Sequence, residues 1–284
     1  MAGSVPDPVG FETGPAPVIR GESQGNGRPM VLCHGLSATR KYVVHGSKAL
    51  PRDGYRLITY DARGHGESDP ADDYTYEGLA GDLGRVIDLE VGSSGPALIL
   101  GGHSMGCHTV LAWALANPDR VAALILLGPV YTGEETAGDL SRWDERADAL
   151  LRGGPDEFAR VATENVVGDG KVIETVTRIA RDRARLHRHP EAVAEALRQI
   201  PRSRPFASIE DLSRLSMPAL VVASHDEIDP GHPYEVARRY SEMLPDAELI
   251  SEGPGEHPLT WQGGKLSRAI AEFLGRKGLG PVLG

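Results

Sequence analysis

The sequence is poor in cysteine, which excludes one class of small, cross-linked protein. Only Cys33 and Cys107 occur among its 284 residues, and this count rules out a framework of several disulfide bonds. Both lie in apolar or glycine-rich segments, a setting typical of buried free thiols. We therefore predict two buried thiols, and the sequence leaves a single bridge between them open.

The chain also lacks an excess of basic charge and any long apolar run. Its 30 Lys and Arg residues against 40 Asp and Glu residues give a net charge of −10, whereas nucleic-acid binding needs a basic surface. The longest apolar stretches are Val121–Leu127 and Ala219–Ala223. Both fall far short of the roughly 20 residues of a membrane helix. We therefore expect neither nucleic acid nor a membrane as a partner.

The first residues show no targeting pattern. Met1–Gly14 is rich in proline and glycine and has no basic segment followed by an apolar one, which is the pattern of a secretory signal. We therefore expect a cytoplasmic location. The chain has 40% hydrophobic and 25% charged residues, which is typical of a soluble globular protein.

Short apolar runs alternate with longer segments of helical periodicity. Continuous apolar runs of this kind suit strands that are buried on both faces of a parallel sheet. The predicted strands are Met30–Cys33, Arg56–Tyr60, Ala97–Leu100, Val121–Leu127, Ala219–Ala223 and Ala247–Ile250. The predicted helices are Tyr76–Val91, Met105–Ala116, Pro233–Leu244 and Leu259–Leu274. The alternation predicts an α/β protein with a doubly wound sheet.

One stretch breaks this alternation. From Tyr131 to about Leu212 the sequence shows only helical patterns, interrupted by glycine and proline. We interpret this stretch as a helical cap inserted into the sheet domain. The predicted organisation is a first part of the core at 1–128, a cap at 129–211 and a second part of the core at 212–284.

The strongest motif is Gly102-His103-Ser104-Met105-Gly106. It fits the pattern G-x-S-x-G, with a predicted strand before it and a predicted helix after it. A serine on such a sharp strand-to-helix turn holds its hydroxyl clear of the sheet, and the flanking glycines leave room for the turn. The pattern indicates that Ser104 is a nucleophile.

Two later turns place a carboxylate and a histidine beyond predicted strands. The first reads Ser224-His225-Asp226-Glu227-Ile228-Asp229-Pro230, and the second reads Gly253-Pro254-Gly255-Glu256-His257. Asp226 is the first carboxylate beyond its strand, with Glu227 and Asp229 as alternatives. A further segment, Asp61 to Ser68, has the pattern D-x-R-G-x-G-x-S.

Together these motifs resemble the α/β-hydrolase superfamily, in particular its esterase, lactonase and haloperoxidase-like branch. The resemblance covers most of the chain outside the predicted cap. It implies an eight-stranded, mostly parallel sheet flanked by helices. It also implies that neither a metal ion nor an organic cofactor is needed, and that the Asp61–Ser68 loop is structural.

The resemblance further implies a catalytic triad. In this fold the members follow one another along the chain in the order serine, acid, histidine. Ser104 would be the nucleophile, His257 the general base and Asp226 the residue that orients His257. His225 and His232 flank the acid turn and are weaker candidates for the base.

The same resemblance implies an oxyanion hole made of two backbone N–H groups. One belongs to the residue after the nucleophile, Met105, and the other to the loop after the first buried strand. That loop reads His34-Gly35-Leu36, so the second donor is Leu36. We interpret His34 as a residue that holds the loop.

These residues predict a carboxylic ester hydrolase that acts on an ester or lactone of a small molecule through an acyl-enzyme on Ser104. A thioesterase, a carbon–carbon bond hydrolase and a cofactor-free perhydrolase would use the same triad, so they remain alternatives. Alternatives from other classes are a small-molecule sensor and a biosynthetic tailoring enzyme. Epoxide hydrolases and haloalkane dehalogenases of this fold use an aspartate nucleophile, which Ser104 excludes.

The predicted cap contains one close histidine pair, His187 and His189, within a segment rich in arginine. The pair lacks a third ligand at useful spacing, so it does not predict a metal site. We interpret the pair as lying on a solvated helix end before Pro190. The sequence predicts a small-molecule substrate as the partner, and no pattern specifies an oligomeric state.

Overall fold

The computed structural model describes residues 5–133, 140–166, 168–225, 229 and 231–281. Its strands are β1 (Val9–Glu12), β2 (Arg20–Gln24), β3 (Arg28–Cys33), β4 (Tyr55–Tyr60), β5 (Leu98–His103), β6 (Val121–Leu127), β7 (Ala219–Ala223) and β8 (Ala247–Ser251). They form one sheet in the order β1-β2-β4-β3-β5-β6-β7-β8. β1 and β2 pair with their neighbours antiparallel, and β3 to β8 pair with one another in parallel. The predicted fold class and the mostly parallel, eight-stranded sheet are therefore confirmed.

Eight α-helices accompany this sheet within the described ranges. They are α1 (Ala49–Arg52), α2 (Tyr76–Glu90), α3 (Met105–Ala116), α4 (Ser141–Ala162), α5 (Gly170–Ala184), α6 (Pro190–Gln199), α7 (Tyr234–Met243) and α8 (Gly263–Arg276). Helices α2, α3 and α7 pack on one face of the sheet, and α1 and α8 pack on the other. None of these helices is long and apolar enough to cross a membrane.

The central strands are apolar throughout because both of their faces are covered. In β7 every residue is buried. Ala219, Val221 and Ala223 face the layer of α2, α3 and α7. Leu220 and Val222 face the layer of α1 and α8. This alternation with a period of two residues lets one apolar run contribute to two cores, which is why such runs predicted the inner strands β3 to β7. The edge strand β8 is half-buried and has a weaker run.

The sequence patterns did not predict β1 and β2. These strands lie at the antiparallel edge of the sheet, where β1 is the outermost strand and β2 pairs with β1 and β4. Most of β1 is exposed, and Val9 at its start is 70% exposed. β1 is mostly solvated and β2 is half-buried, so neither strand needs the apolar run that identified the other six.

A helical insertion formed by α4, α5 and α6 lies between β6 and β7. It has an apolar cluster of its own, formed by Ala147, Leu150, Phe158, Ala184, Val193, Ala194 and Leu197. Helix α4 bends at Gly154, whose φ and ψ are 64° and −155°, directly before Pro155. Proline has no N–H for a helical hydrogen bond, and glycine accepts the left-handed conformation that the bend requires.

His187 fastens this insertion to the sheet domain. Its Nδ1 accepts a hydrogen bond from the Gly66 N–H (2.9 Å), and its Nε2 donates to the Ser37 carbonyl (3.2 Å). The residue is 8% exposed, so the interpretation of this histidine as part of a solvated helix end is wrong. Because both ring nitrogens are engaged by backbone groups, neither is available to a metal ion.

His187 continues a row of buried imidazoles. The His65 ring lies 5.2 Å from the His34 ring and 5.5 Å from the His187 ring. Burial disfavours the charged form of each ring and lowers the pKa of His65 to about 4 and that of His187 to about 3. All three rings are therefore neutral at physiological pH.

These depressed pKa values predict a loss of stability in acid. A histidine that stays neutral in the folded state but binds a proton near pH 6.5 when unfolded stabilises the fold above pH 6.5, and this contribution is lost as the pH falls towards 4. Each such histidine contributes at most about 1.4 kcal/mol per pH unit to the slope of the free energy of unfolding against pH. The measurement is urea denaturation between pH 7.5 and 4.5. His187→Gln keeps a donor and an acceptor in place and should reduce the slope by about that amount; an unchanged slope would contradict the assignment.

The two cysteines are free and buried, as predicted. The Cys33 thiol lies 3.4 Å from the Tyr60 hydroxyl, and burial raises the pKa of Cys33 to about 12. Burial also raises the pKa of Cys107. Both thiols stay protonated at neutral pH and are therefore poor nucleophiles.

Candidate active site

Ser104 occupies the turn between β5 and α3. Its φ and ψ are 51° and −113°, a conformation that costs energy for any residue other than glycine and that clusters at functional sites. Its N–H donates to the Leu127 carbonyl (2.9 Å), which fixes the turn against β6. The serine precedes α3 but its side chain does not cap the helix, so its hydroxyl remains available for chemistry.

Two glycines make this turn sterically feasible. A Cβ atom on Gly102 would lie 2.2 Å from the carbonyl carbon of Gly106, and a Cβ atom on Gly106 would lie 2.2 Å from the Cys33 carbonyl oxygen. No side chain fits at such distances, so both positions of the motif require glycine. The local pattern in the sequence therefore encodes the close approach of β3, β5 and α3.

Two backbone N–H groups beside Ser104 are unused. Among the described residues, the amides of Leu36 and Met105 have no hydrogen-bond acceptor. Met105 begins α3, where the helix dipole adds partial positive charge. The Leu36 loop is held by His34, which donates from Nδ1 to the Gly35 carbonyl (2.8 Å) and accepts the Ala62 N–H at Nε2 (2.9 Å).

Ser104, Leu36 and Met105 line one cavity of about 130 Å³. A volume near this value accommodates a group about the size of benzene. The remaining lining residues are Tyr76, His108, Val130, Tyr131, Leu140, Arg142, Trp143, Ile200, Pro201 and Ser203. The sheet domain and the helical insertion therefore both contribute to the walls.

The predicted acid, Asp226, and its alternative Glu227 lie outside the described residues. The start of the same turn is described, and it is braced by Glu252, a residue that the sequence patterns did not single out. The buried Glu252 carboxylate accepts hydrogen bonds from the Ser224 hydroxyl (2.6 Å) and the His225 N–H (2.6 Å). It also accepts the Leu259 N–H (3.0 Å). Glu252 thereby joins the turn that carries Asp226 to the segment that follows His257.

Glu252 is ionised in this position. Burial alone would raise the pKa of its carboxyl, but the hydrogen bonds from Ser224 and from the Leu259 amide outweigh burial and hold the pKa below its usual value. The signal that could have identified it is its position as the first residue after the last strand.

Glu252→Gln tests this brace. We expect the free energy of unfolding to fall by about 2 kcal/mol, because charge-assisted hydrogen bonds are replaced by weaker ones. We also expect kcat/KM for esters to fall roughly 10- to 100-fold, because the two turns lose their fixed spacing. Urea denaturation and ester kinetics measure the two effects. Glu256→Gln, on the exposed neighbouring turn, is the matched control; equal behaviour of the two variants would contradict the bracing role.

His257 lies on the exposed turn between β8 and α8. Its backbone carbonyl accepts a hydrogen bond from Gln262 Nε2 (2.5 Å). Within the described part of the chain its ring makes no hydrogen bond and does not line the cavity of Ser104. No contact of this side chain with Ser104 occurs among the described residues, and its role as general base stays a prediction.

A different histidine–carboxylate pair lies beside the turn of Ser104. His232 Nδ1 donates to Asp229 (2.8 Å), and the His232 ring is 4.8 Å from the ring of His103, the residue before the nucleophile. Burial alone would raise the pKa of Asp229, but the His232 imidazole holds it below its usual value. This contact leaves His232 Nε2 as the ring nitrogen that could accept a proton.

Comparison with known proteins identifies the family. The sequence model of the alpha/beta hydrolase fold family matches residues 28–264, and the chain therefore belongs to this family. The relatives described next confirm the branch that the motifs predicted.

Three proteins illustrate the similarity. A non-heme chloroperoxidase, CPO-A1 of Kitasatospora aureofaciens, is 28% identical over 265 residues, which cover 89% of this chain and 94% of that protein. RutD of Agrobacterium fabrum, whose name assigns it to the carbamate hydrolases, is 26% identical over 239 residues, covering 84% and 89%. The solved structure of a thermophilic esterase from Thermogutta terrifontis has a TM-score of 0.75 and 26% identity, covering 95% of this chain and 99% of that one.

Proposed function

We propose that this α/β hydrolase is a serine hydrolase that cleaves an ester or lactone of a small molecule. The observation that carries the proposal is the placement of Ser104. It stands on a backbone conformation with φ of 51°, in a cavity that is also lined by Leu36 and Met105, two residues whose amides have no acceptor among the described residues. A nucleophile with two free donors beside it is what acyl transfer requires.

The proposed reaction proceeds in two halves. A histidine removes the proton from Ser104 Oγ, which attacks the acyl carbonyl, and the N–H groups of Leu36 and Met105 stabilise the oxyanion. The carbon–oxygen bond to the leaving group then breaks, and the histidine returns the proton to the departing alcohol. In the second half the same histidine activates water, which releases the acid and regenerates Ser104. In this proposal His257 is the histidine, and Asp226 orients it.

An oxygen ester is favoured over the other acyl substrates by the relative solved as an esterase, which spans nearly the whole chain. Thioesters, carbamates and carbon–carbon bonds next to a carbonyl would pass through the same acyl or carbamoyl chemistry. A sensor would bind its ligand without turnover, and a tailoring enzyme would form product without net addition of water. Kinetic measurements separate these outcomes.

Labelling with a fluorophosphonate tests the proposal. We expect wild type to be labelled at Ser104 and to hydrolyse short p-nitrophenyl esters. Ser104→Ala should not be labelled, and mass spectrometry of the digested protein locates the modified residue. Absence of labelling in a folded wild-type protein would contradict the proposal and favour a sensor or a tailoring enzyme.

The same assay identifies the base. If His257 is the base, His257→Ala abolishes labelling at neutral pH, whereas His232→Ala retains it. The reverse result would assign the base to His232 and the orienting acid to Asp229, the pair that lies next to His103. Each variant serves as the matched control of the other.

A further inference from the structure

The polar side chains that line the cavity of Ser104 offer donors of hydrogen bonds and hardly any acceptors. Among the described residues, no aspartate or glutamate lines it. The polar groups besides the nucleophile belong to Tyr76, His108, Tyr131, Arg142, Trp143 and Ser203. The existing hydrogen bonds of these groups determine what they can offer a ligand.

The tautomer of His108 is fixed by the backbone. The N–H groups of Val130 (3.2 Å) and Tyr131 (3.1 Å) both point at His108 Nε2, so this nitrogen carries no proton. Burial lowers the pKa of His108 to about 3, so the ring is neutral. Its single ring proton therefore resides on Nδ1, which lies 3.2 Å from the Tyr76 hydroxyl oxygen.

Because His108 donates to it, the Tyr76 hydroxyl is left with its own hydrogen as a donor. That hydrogen has no acceptor among the described residues, and Tyr76 is only 6% exposed. Ser203 repeats the arrangement: its Oγ accepts the Tyr76 N–H (2.9 Å), which leaves its hydroxyl hydrogen free. Both hydroxyls thus present donors to the cavity.

Arg142 adds a positive charge to the same wall. Its guanidinium lies 5.3 Å from the centre of the Trp143 ring, and that of Arg146 lies 4.8 Å from it. Like charges four residues apart repel each other, and a cation in the first turn of a helix opposes the helix dipole. Burial lowers the pKa of Arg146, and the charge of Arg142 lowers it further.

Arg142 has no counter-ion among the described residues. Of the nearby carboxylates of α4, Asp144 is paired with Arg202 (2.7 Å) and Asp148 with Arg198 (2.5 Å). The exposed Glu145 forms no ion pair with Arg142 among the described residues. A bound anion would relieve the repulsion between Arg142 and Arg146. A wall that combines two buried or half-buried hydroxyl donors with an unpaired guanidinium is complementary to an oxyanion.

We propose that the substrate carries a carboxylate next to its scissile ester, and that Tyr76, Ser203 and Arg142 bind this carboxylate. This inference rests on the proposed function, since it assigns the substrate class of the same cavity. The small volume requires the carboxylate to lie only a few bonds from the acyl carbon. The three residues determine specificity, and Ser104 performs the reaction.

Binding to a protein that cannot turn over tests this proposal. The probes are monomethyl succinate and methyl 4-methylpentanoate. They share one skeleton, but the first ends in a carboxylate and the second ends in an isopropyl group of similar shape. In the Ser104→Ala protein, ligand-observed NMR titration should show monomethyl succinate binding about 10-fold or more tightly than the neutral ester. Equal or weaker binding of the charged ester would overturn the proposal.

Three further substitutions in the same background identify the contacts. Tyr76→Phe, Ser203→Ala and Arg142→Gln should each weaken binding of monomethyl succinate by about 5- to 100-fold, and should leave the neutral ester within about 3-fold. Arg178→Gln, an exposed arginine of α5, is the control and should change neither. If all three variants bind the charged ester as the parent does, the proposal is wrong.

The tautomer of His108 gives a readout that is independent of ligands. Nitrogen-15 NMR should show Nε2 of this ring as the unprotonated nitrogen and Nδ1 as the protonated one. A proton on Nε2 would remove the argument for Tyr76 as a donor. Since neither experiment requires turnover, failure of the carboxylate proposal is distinguishable from failure of fluorophosphonate labelling, which tests the hydrolase itself.

Discussion

Ser104→Ala should lower kcat for any ester that the wild type hydrolyses by about 10⁴-fold or more. The hydroxyl is the atom that forms the acyl-enzyme, and the thiols of Cys33 and Cys107 cannot replace it, because burial raises their pKa values and keeps them protonated. The residual rate would come from the Leu36 and Met105 amides and from substrate binding. Steady-state kinetics with p-nitrophenyl esters measures the effect.

The control for this experiment is Ser241→Ala, on the exposed side of α7, where the hydroxyl donates only to the Arg238 carbonyl (2.7 Å). It should retain the wild-type rate. Circular dichroism and thermal unfolding of Ser104→Ala should match wild type, since the substitution removes one oxygen from the edge of a cavity. Turnover by Ser104→Ala within 10-fold of wild type, a loss far below that of a nucleophile, would exclude the acyl-enzyme mechanism.

Asp82→Ala should lower the free energy of unfolding by about 3–5 kcal/mol. Asp82 accepts two hydrogen bonds from Arg63, at 2.6 Å from Nε and 3.0 Å from Nη2. The side chains are 2% and 9% exposed. Removing the carboxylate leaves a buried guanidinium with only its contacts to the Asp73 side chain and to backbone carbonyls. The cost arises because the one carboxylate that remains beside the buried Arg63 charge, that of Asp73, is 55% exposed. Arg85 also loses its hydrogen bond to Asp82 (2.6 Å).

Asp88→Ala, on the exposed side of the same helix, is the control and should change the free energy of unfolding by less than about 0.5 kcal/mol. Urea denaturation measures both variants. A cost below about 1 kcal/mol for Asp82→Ala would show that water or another group solvates Arg63 in the variant. Arg63 belongs to the loop with the pattern D-x-R-G-x-G-x-S, so the result also tests whether this loop is structural.

The strands and helices of the sheet domain were predictable where burial is complete. A strand covered on both faces is apolar over most of its length, so β3 to β7 are visible as apolar runs. The edge strand β8 is only half-buried, and its apolar run is weaker. At the antiparallel edge the strands β1 and β2 are partly solvated, and polar residues are acceptable there. The last predicted helix, Leu259–Leu274, differs for another reason: a short 3₁₀ turn at Leu259–Trp261 precedes α8, which begins at Gly263. Apolar spacing does not distinguish such a turn from the helix that follows it.

In the helical insertion, a sequence segment rich in charged residues is not exposed at every position. A histidine among arginines is usually a solvated residue, which led to the wrong interpretation of His187. Its hydrogen bond to Gly66 joins residues 121 positions apart. No local pattern encodes a contact of that separation, because it depends on how the insertion docks on the sheet domain.

The sequence by itself determined the α/β class, the central strands, the turn of Ser104 and its two required glycines, because each is encoded by residues close together in the chain. Only the tertiary structure showed that Glu252 joins two turns, that His232 and Asp229 lie beside His103, and that His108 turns the Tyr76 hydroxyl into a donor. The separation of Tyr76 and His108 is 32 residues. Which nitrogen of that ring carries the proton is decided by the backbone of Val130 and Tyr131. This backbone lies beside the ring because it follows β6, the strand that pairs with β5.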